Sequence, residues 1–207
     1  MRIRTILFDF GGVILKMPDL KWARRWQKLF GLQENPEVVQ MLSNPNDSQL
    51  VKDICLGKIS EDEVWKAVSE RWPVKASTVR RIHRRIFSKR KLNRKVIHFM
   101  AEMQGEYQTA ILSNAGDRTR QVIEEDFQLD RYLDEIIISA EEGLIKPDPR
   151  IFDLAMGRLE TLPEQTLFLD DSLENVLAAR DFGMHAVQFI HTEQALGAMR
   201  EILAKGA

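Results

Sequence analysis

The chain has 207 residues, 44% of them hydrophobic and 29% charged, a globular composition long enough for one full domain or one domain carrying an insertion. A single cysteine, Cys55, excludes a disulfide framework and any cysteine-rich metal cluster. The net charge of −1 conceals a split, since residues 1–98 carry 21 Lys and Arg against 10 Asp and Glu while residues 99–207 carry 9 against 21, and such asymmetry assigns different work to the two halves.

The chain opens on a short apolar run, Thr5–Phe8 with Ile3 ahead of it, which meets Asp9 and then Gly11-Gly12. That pattern predicts a strand leaving a sheet. The run is too short for a signal peptide, and no stretch approaches the ~20 apolar residues of a membrane span, so a soluble cytoplasmic protein without membrane contact is expected. From there to about residue 90 the periodicity is helical, over 19–30, 37–42, 48–56, 61–72 and 77–87. Ser60 and Glu63 form a capping box ahead of Val64 and Trp65. From about residue 92 helix and strand alternate, with strands predicted over 108–112, 135–138, 166–169 and 186–189, and helices over 149–159, 172–182 and 192–204. Alternation of this kind predicts an α/β, Rossmann-like parallel sheet covered on both faces. Residues 1–15 and 91–207 form that core, and residues 16–90 form an α-helical domain inserted after the first strand.

Ligands of an open parallel sheet bind beyond the carboxyl ends of its strands. Those ends carry Asp9, then Ser113-Asn114, then Lys146-Pro147 in the loop after the third strand, then Asp170-Asp171. Asp170-Asp171 also stand where they could cap a helix beginning near Ser172. Together the four ends place three carboxylates, a hydroxyl and an ammonium on one edge, which suits phosphoryl transfer to a carboxylate nucleophile. Lys146, Ser113 and nearby backbone N–H groups would meet the phosphoryl oxygens. Clustered carboxylates need a cation between them, and the oxygen ligands Asp9, Asp170 and Asp171 suit Mg²⁺.

These residues bear a resemblance. Asp9-Phe-Gly-Gly-Val13, Leu112-Ser-Asn114, Lys146-Pro147 and Phe168-Leu-Asp-Asp-Ser-Leu-Glu-Asn-Val176 resemble the four motifs of the haloacid dehalogenase-like hydrolase superfamily, in the branch with a helical cap inserted after strand one. The resemblance implies that Asp9 is the nucleophile and that Ser113 and Asn114 hold the phosphoryl group. Lys146 would balance its charge, Asp170 would ligate Mg²⁺ with support from Asp171, and the Gly11 carbonyl would be a further ligand. Phosphatases of the family usually carry a second aspartate, the general acid–base, where this chain has Gly11; losing such a group costs ~10²–10⁴-fold in rate. Asp19 is either a substitute reaching over the site or a helix cap.

The leading expectation is therefore a Mg²⁺-dependent phosphatase acting on a small phosphorylated metabolite through an aspartyl-phosphate. One alternative is a metal-independent dehalogenase using the same nucleophile, for which Gly11 is harmless. Another is a non-catalytic member that binds a phosphorylated ligand. Between Lys75 and Lys95 stand ten Lys and Arg and no acidic residue, which reads as a solvated helix face, or else as a funnel for anionic substrates. No nucleic-acid motif accompanies the charge. Trp22, Trp26, Trp65 and Trp72 read as the core of the insertion. The four histidines, His83, His98, His185 and His191, lack metal-ligand spacing, and Cys55 reads as inert.

Overall fold

The structure is a computed structural model that describes residues 2–16, 48–71 and 91–205. Five parallel strands, β1 (Thr5–Phe8), β2 (Gln108–Ser113), β3 (Glu135–Ile138), β4 (Thr166–Asp170) and β5 (His185–Gln188), form one sheet in the order β3-β2-β1-β4-β5. β1 lies at the centre, with Thr5 opposite both Gln108 and Thr166. Because β2 and β4 flank it on opposite sides, the order reverses there, which opens the crevice where such sheets take ligands. β2 and β4 each run one residue further than the sequence pattern predicts, since Ser113 pairs with Ile138 and Asp170 with Gln188. Both polar residues are thus held by the ladder itself.

The middles of the strands are apolar on both sides because both faces are covered. On one face Ile6, Phe8, Ile111, Ile138 and Leu169 pack with α3 (Arg94–Met103) and α7 (Thr192–Lys205), and Phe8 meets Phe99 edge-on at 6.3 Å. On the other face Leu7, Leu112, Ile137 and Phe168 pack with α5 (Pro149–Arg158) and α6 (Leu173–Asp181). The alternation of neighbours between the two clusters follows from the two-residue period of a strand.

Two further helices, α1 (Gln49–Cys55) and α2 (Glu61–Arg71), fall between β1 and β2. The capping box opens α2 as the sequence predicts: Glu63 N–H donates to Ser60 Oγ at 3.2 Å, and Ser60 N–H donates to Glu63 Oε2 at 2.8 Å. Lys16 N–H donates to the Lys91 carbonyl at 3.0 Å and Asn93 N–H to that of Ile14 at 2.8 Å, so the chain leaves and re-enters the core at one place. The helices predicted over 19–30, 37–42 and 77–87, with Asp19, Trp22, Trp26, Trp72, His83 and most of the basic run, lie outside the described residues. At the end of that run Lys95 is paired with Glu193 at 2.6 Å on the surface. Among the described residues no helix is long and apolar enough to cross a membrane.

Candidate active site

β1 delivers Asp9 to the carboxyl edge of the sheet, where its N–H is tied to the Leu169 carbonyl at 2.8 Å. β4 delivers Asp170, and Asp171 follows. One oxygen of each of the three carboxylates lies within 4.8 Å of the others; Asp9 and Asp170 are buried and Asp171 is exposed. The Lys146 ammonium sits among them, only 3% exposed. It donates to Asp9 Oδ1 at 2.9 Å, to Asp170 Oδ2 at 2.6 Å and to the Leu112 carbonyl at 2.7 Å. The Phe168 ring lies 5.2 Å away.

Burial pushes the Asp9 carboxyl up, Lys146 draws it down, and Asp170 and Asp171 push it up again; the balance stands at about 7. Burial alone would lower Lys146, but Asp9 and Asp170 outweigh it and hold its ammonium charged above the ordinary lysine range. Burial and the Asp170 charge also raise Asp171. One ammonium therefore faces three carboxylates, and a fully ionised cluster carries two uncompensated negative charges. An all-oxygen donor set with that deficit fits a hard divalent cation. The backbone makes room for the third carboxylate: Gly12 has φ 83°, and a Cβ there would overlap the Asp171 side chain.

The supports of this cluster are less visible in the sequence. Asp170 Oδ1 accepts the Ser172 N–H at 2.8 Å, and the Asn175 amide donates to both Asp170 oxygens at 3.1 and 3.2 Å. Asp170 thus fixes the turn into α6 and faces Lys146 at once, but it does not cap the helix, whose N-cap is Ser172 and carries no side-chain cap. Asn175 stands in the sequence within the stretch that resembles the fourth motif, but nothing there marks it as a partner of Asp170. Ser113, the last residue of β2, is buried beside the cluster, and among the described residues its hydroxyl has no hydrogen-bond partner. The side chain of Asn114 is engaged with the Lys146 main chain, donating to its carbonyl and accepting its N–H, both at 2.8 Å. What Asn114 has left for a phosphoryl group is its own main-chain N–H. The neighbouring Ala115 N–H is bonded to Ser139 Oγ at 3.0 Å. Gly11 lies in the turn after Asp9, bridged to Leu15.

The inserted segment reaches this edge. Glu61 N–H donates to Asp117 Oδ1 at 3.1 Å, and Arg118 pairs with Asp62 at 3.2 Å. A Cβ on Gly116 would come within 2.6 Å of Glu61 Oε1 and 2.9 Å of Ile54. Cys55 is a free thiol that burial, reinforced by Glu61 and opposed by Lys146, pushes up to about 11.

A family model for haloacid dehalogenase-like hydrolases matches residues 6–189. The chain belongs to that family. Over 98% of its length this haloacid dehalogenase-like hydrolase is 25% identical to bifunctional epoxide hydrolase 2 of Mus musculus, but it spans only 39% of that protein. It is 24% identical to the D-ribitol-5-phosphate phosphatase of Bacteroides thetaiotaomicron, over 90% of this chain and 91% of that one. A family enzyme from the same bacterium, solved with magnesium and inorganic phosphate, superposes with a TM-score of 0.74 at 19% identity, covering 90% of this chain and 93% of the other. That superposition establishes the shared fold.

Proposed function

We propose that this hydrolase is a Mg²⁺-dependent phosphatase of small phosphorylated metabolites, of the sugar- or polyol-phosphate class, working through an aspartyl-phosphate on Asp9. The observation that carries the reading is the buried Lys146 ammonium between Asp9 and Asp170, with Asp171 beside them. The likeness to a ribitol-phosphate phosphatase along nearly the whole of both chains supports the substrate class.

In this reading an Asp9 oxygen attacks phosphorus and the P–O bond to the leaving group breaks. The departing oxygen takes the bonding electron pair and is protonated. Water then attacks the phosphorus of the aspartyl-phosphate, releasing inorganic phosphate and restoring the carboxylate. Lys146 holds the attacking carboxylate in place and offsets charge on the phosphoryl oxygens, which also meet the Ser113 hydroxyl and the Asn114 main-chain N–H. Asp9, Asp170, Asp171 and the Gly11 carbonyl would hold Mg²⁺. When bound, that ion would supply the positive charge the cluster lacks and would offset negative charge developing on the phosphoryl group. With glycine at position 11, the proton that a sugar or polyol oxygen needs on leaving comes from water or from another group. We assign residues 16–90 the role of a cap that keeps bulk water from this step; its described part brings Ile54 and Glu61 against Gly116 in the loop after β2.

The test is phosphate release from a panel of phosphomonoesters, with Mg²⁺ and with EDTA. Release that requires Mg²⁺, and disappears in a folded Asp9→Asn variant, is the expected result. Halide release from 2-haloacids in EDTA would identify a dehalogenase instead. Phosphate binding without turnover would identify a binding protein.

A further inference from the structure

Asn114 and Lys146 stand 32 residues apart in the chain. Yet the side-chain amide of the first engages both main-chain polar groups of the second, Nδ2 donating to the Lys146 carbonyl and Oδ1 accepting the Lys146 N–H, each at 2.8 Å. A side chain here reproduces the two-bond exchange that a ladder makes between strands. Just past it, Ser139 is fully buried, and its Oγ accepts the Ala115 N–H at 3.0 Å and donates to the Ala115 carbonyl at 3.2 Å. The loop after β2 is therefore tied at two successive residues to the two segments that follow β3.

Lys146 gains most from this. All three protons of its ammonium are committed, to Asp9, Asp170 and the Leu112 carbonyl. The four-carbon stem between that tip and the main chain is flexible, and a tip held at three points needs its Cα held as well. A shift of about 1 Å in a charge-bearing group is enough to cost a large part of its effect.

We propose that Asn114 is a positioning residue for Lys146: its side-chain amide fixes the Lys146 main chain, and through it the ammonium, and makes no contact with the phosphoryl group. The proposal deepens the phosphatase reading and rests on it for its functional consequence. The two are separable by experiment, because the clamp exists whether or not phosphate binds.

The first measurement is the side-chain ¹⁵N ammonium resonance of Lys146, assigned by its loss in Lys146→Met. Three hydrogen bonds in a buried site slow its proton exchange, so it is visible in the wild-type protein. Asn114→Ala should broaden it beyond detection. Asn114→Asp keeps the acceptor for the Lys146 N–H and should retain it in part, and it carries the comparison if the alanine variant does not fold. The second measurement is calorimetric titration with inorganic phosphate in Mg²⁺. Asn114→Ala should weaken binding roughly tenfold in the wild-type background and less than about twofold in Lys146→Met, since a residue acting through another has nothing left to act on. Equal losses in both backgrounds would mean that Asn114 touches phosphate directly, and would overturn the proposal. An unchanged resonance in Asn114→Ala, or no slowly exchanging resonance in the wild type, would overturn it too. A visible ammonium in a protein without phosphate affinity would reject the phosphatase reading and leave the clamp standing.

Discussion

Gly12 and Cys55 show how single residues are constrained by the charge cluster beside them. Gly12 is in the left-handed region at φ 83° with the Asp171 carboxylate lying where a Cβ would be. Replacing it with alanine costs ~1–2 kcal/mol in backbone strain, and the added methyl must also displace Asp171. Gly12→Ala should therefore weaken Mg²⁺ affinity more than it lowers stability. Metal titration beside a urea melt would measure both, and equal affinity for wild type and variant would show that Asp171 is not needed where it stands. Cys55 experiences the cluster from the inserted segment, its thiol pushed up by burial and by Glu61 to about 11. At pH 8 the thiolate is then about a hundredfold scarcer than for a cysteine titrating near 9, and the thiolate is what reacts. Alkylation by iodoacetamide should be slow at pH 8 and rise about tenfold per unit through pH 10. A rate that levels off near pH 9 would mean that the thiol ionises in the ordinary cysteine range and is not raised by its surroundings.

At the scale of elements, each site residue depends on the strand or helix that presents it. Lys146 precedes α5, whose N-terminus is capped by Asp148, accepting the Arg150 N–H at 3.0 Å, with Pro149 in the first turn. α5 is anchored by the buried Phe152, which meets Phe168 edge-on at 6.0 Å and Phe182 at 5.8 Å. Phe152→Ala should cost ~3–5 kcal/mol of folding stability, and Phe152→Leu less than about 1.5 kcal/mol. Urea denaturation checks both; a loss below ~1 kcal/mol for alanine would mean that this face of the sheet is not tightly packed. The strands were legible in the sequence because burial on both faces makes them short apolar runs, and the ends of the first four were legible to within a residue because a carboxylate or hydroxyl follows each of those runs. The helix Arg94–Met103 was covered only by a general alternation of helix and strand. The π-helical turn at Val122–Asp126 and the four-residue helix Ser139–Glu142, α4, left no periodic signal at all. Within the site, Asp9, Lys146, Asp170 and Asp171 could be named because strand ends converge at a sheet edge. The engagement of Asn114 with Lys146, of Ser139 with Ala115 and of Asn175 with Asp170 could not. Two of these three contacts join loops 24 and 32 residues apart, and no local pattern encodes which way an amide or hydroxyl turns.

For the molecule as a whole, the same cluster sets stability against function. Folding gathers three carboxylates around one ammonium, and the burial and mutual repulsion that raise Asp9 and Asp171 are a cost the unfolded chain does not bear. A cation that binds only the folded state offsets it, by ~2.7 kcal/mol when its concentration is a hundred times its dissociation constant. Asp171 is the exposed member, so replacing its charge leaves no buried hole and no unsatisfied buried partner. Asp171→Asn should therefore make the metal-free protein more stable than the wild type, by a margin that solvent screening keeps small. The same change should remove most of the gain in melting temperature that Mg²⁺ produces. The two curves cross: the variant melts higher in EDTA and lower in saturating Mg²⁺. That crossing separates an electrostatic role from a packing role, because a packing defect would lower both melting temperatures together. Thermal melts of both proteins in EDTA and in Mg²⁺ decide it, and a variant that is less stable in EDTA, or that keeps the full Mg²⁺ shift, would show that Asp171 does not belong to the cluster whose charge the metal relieves.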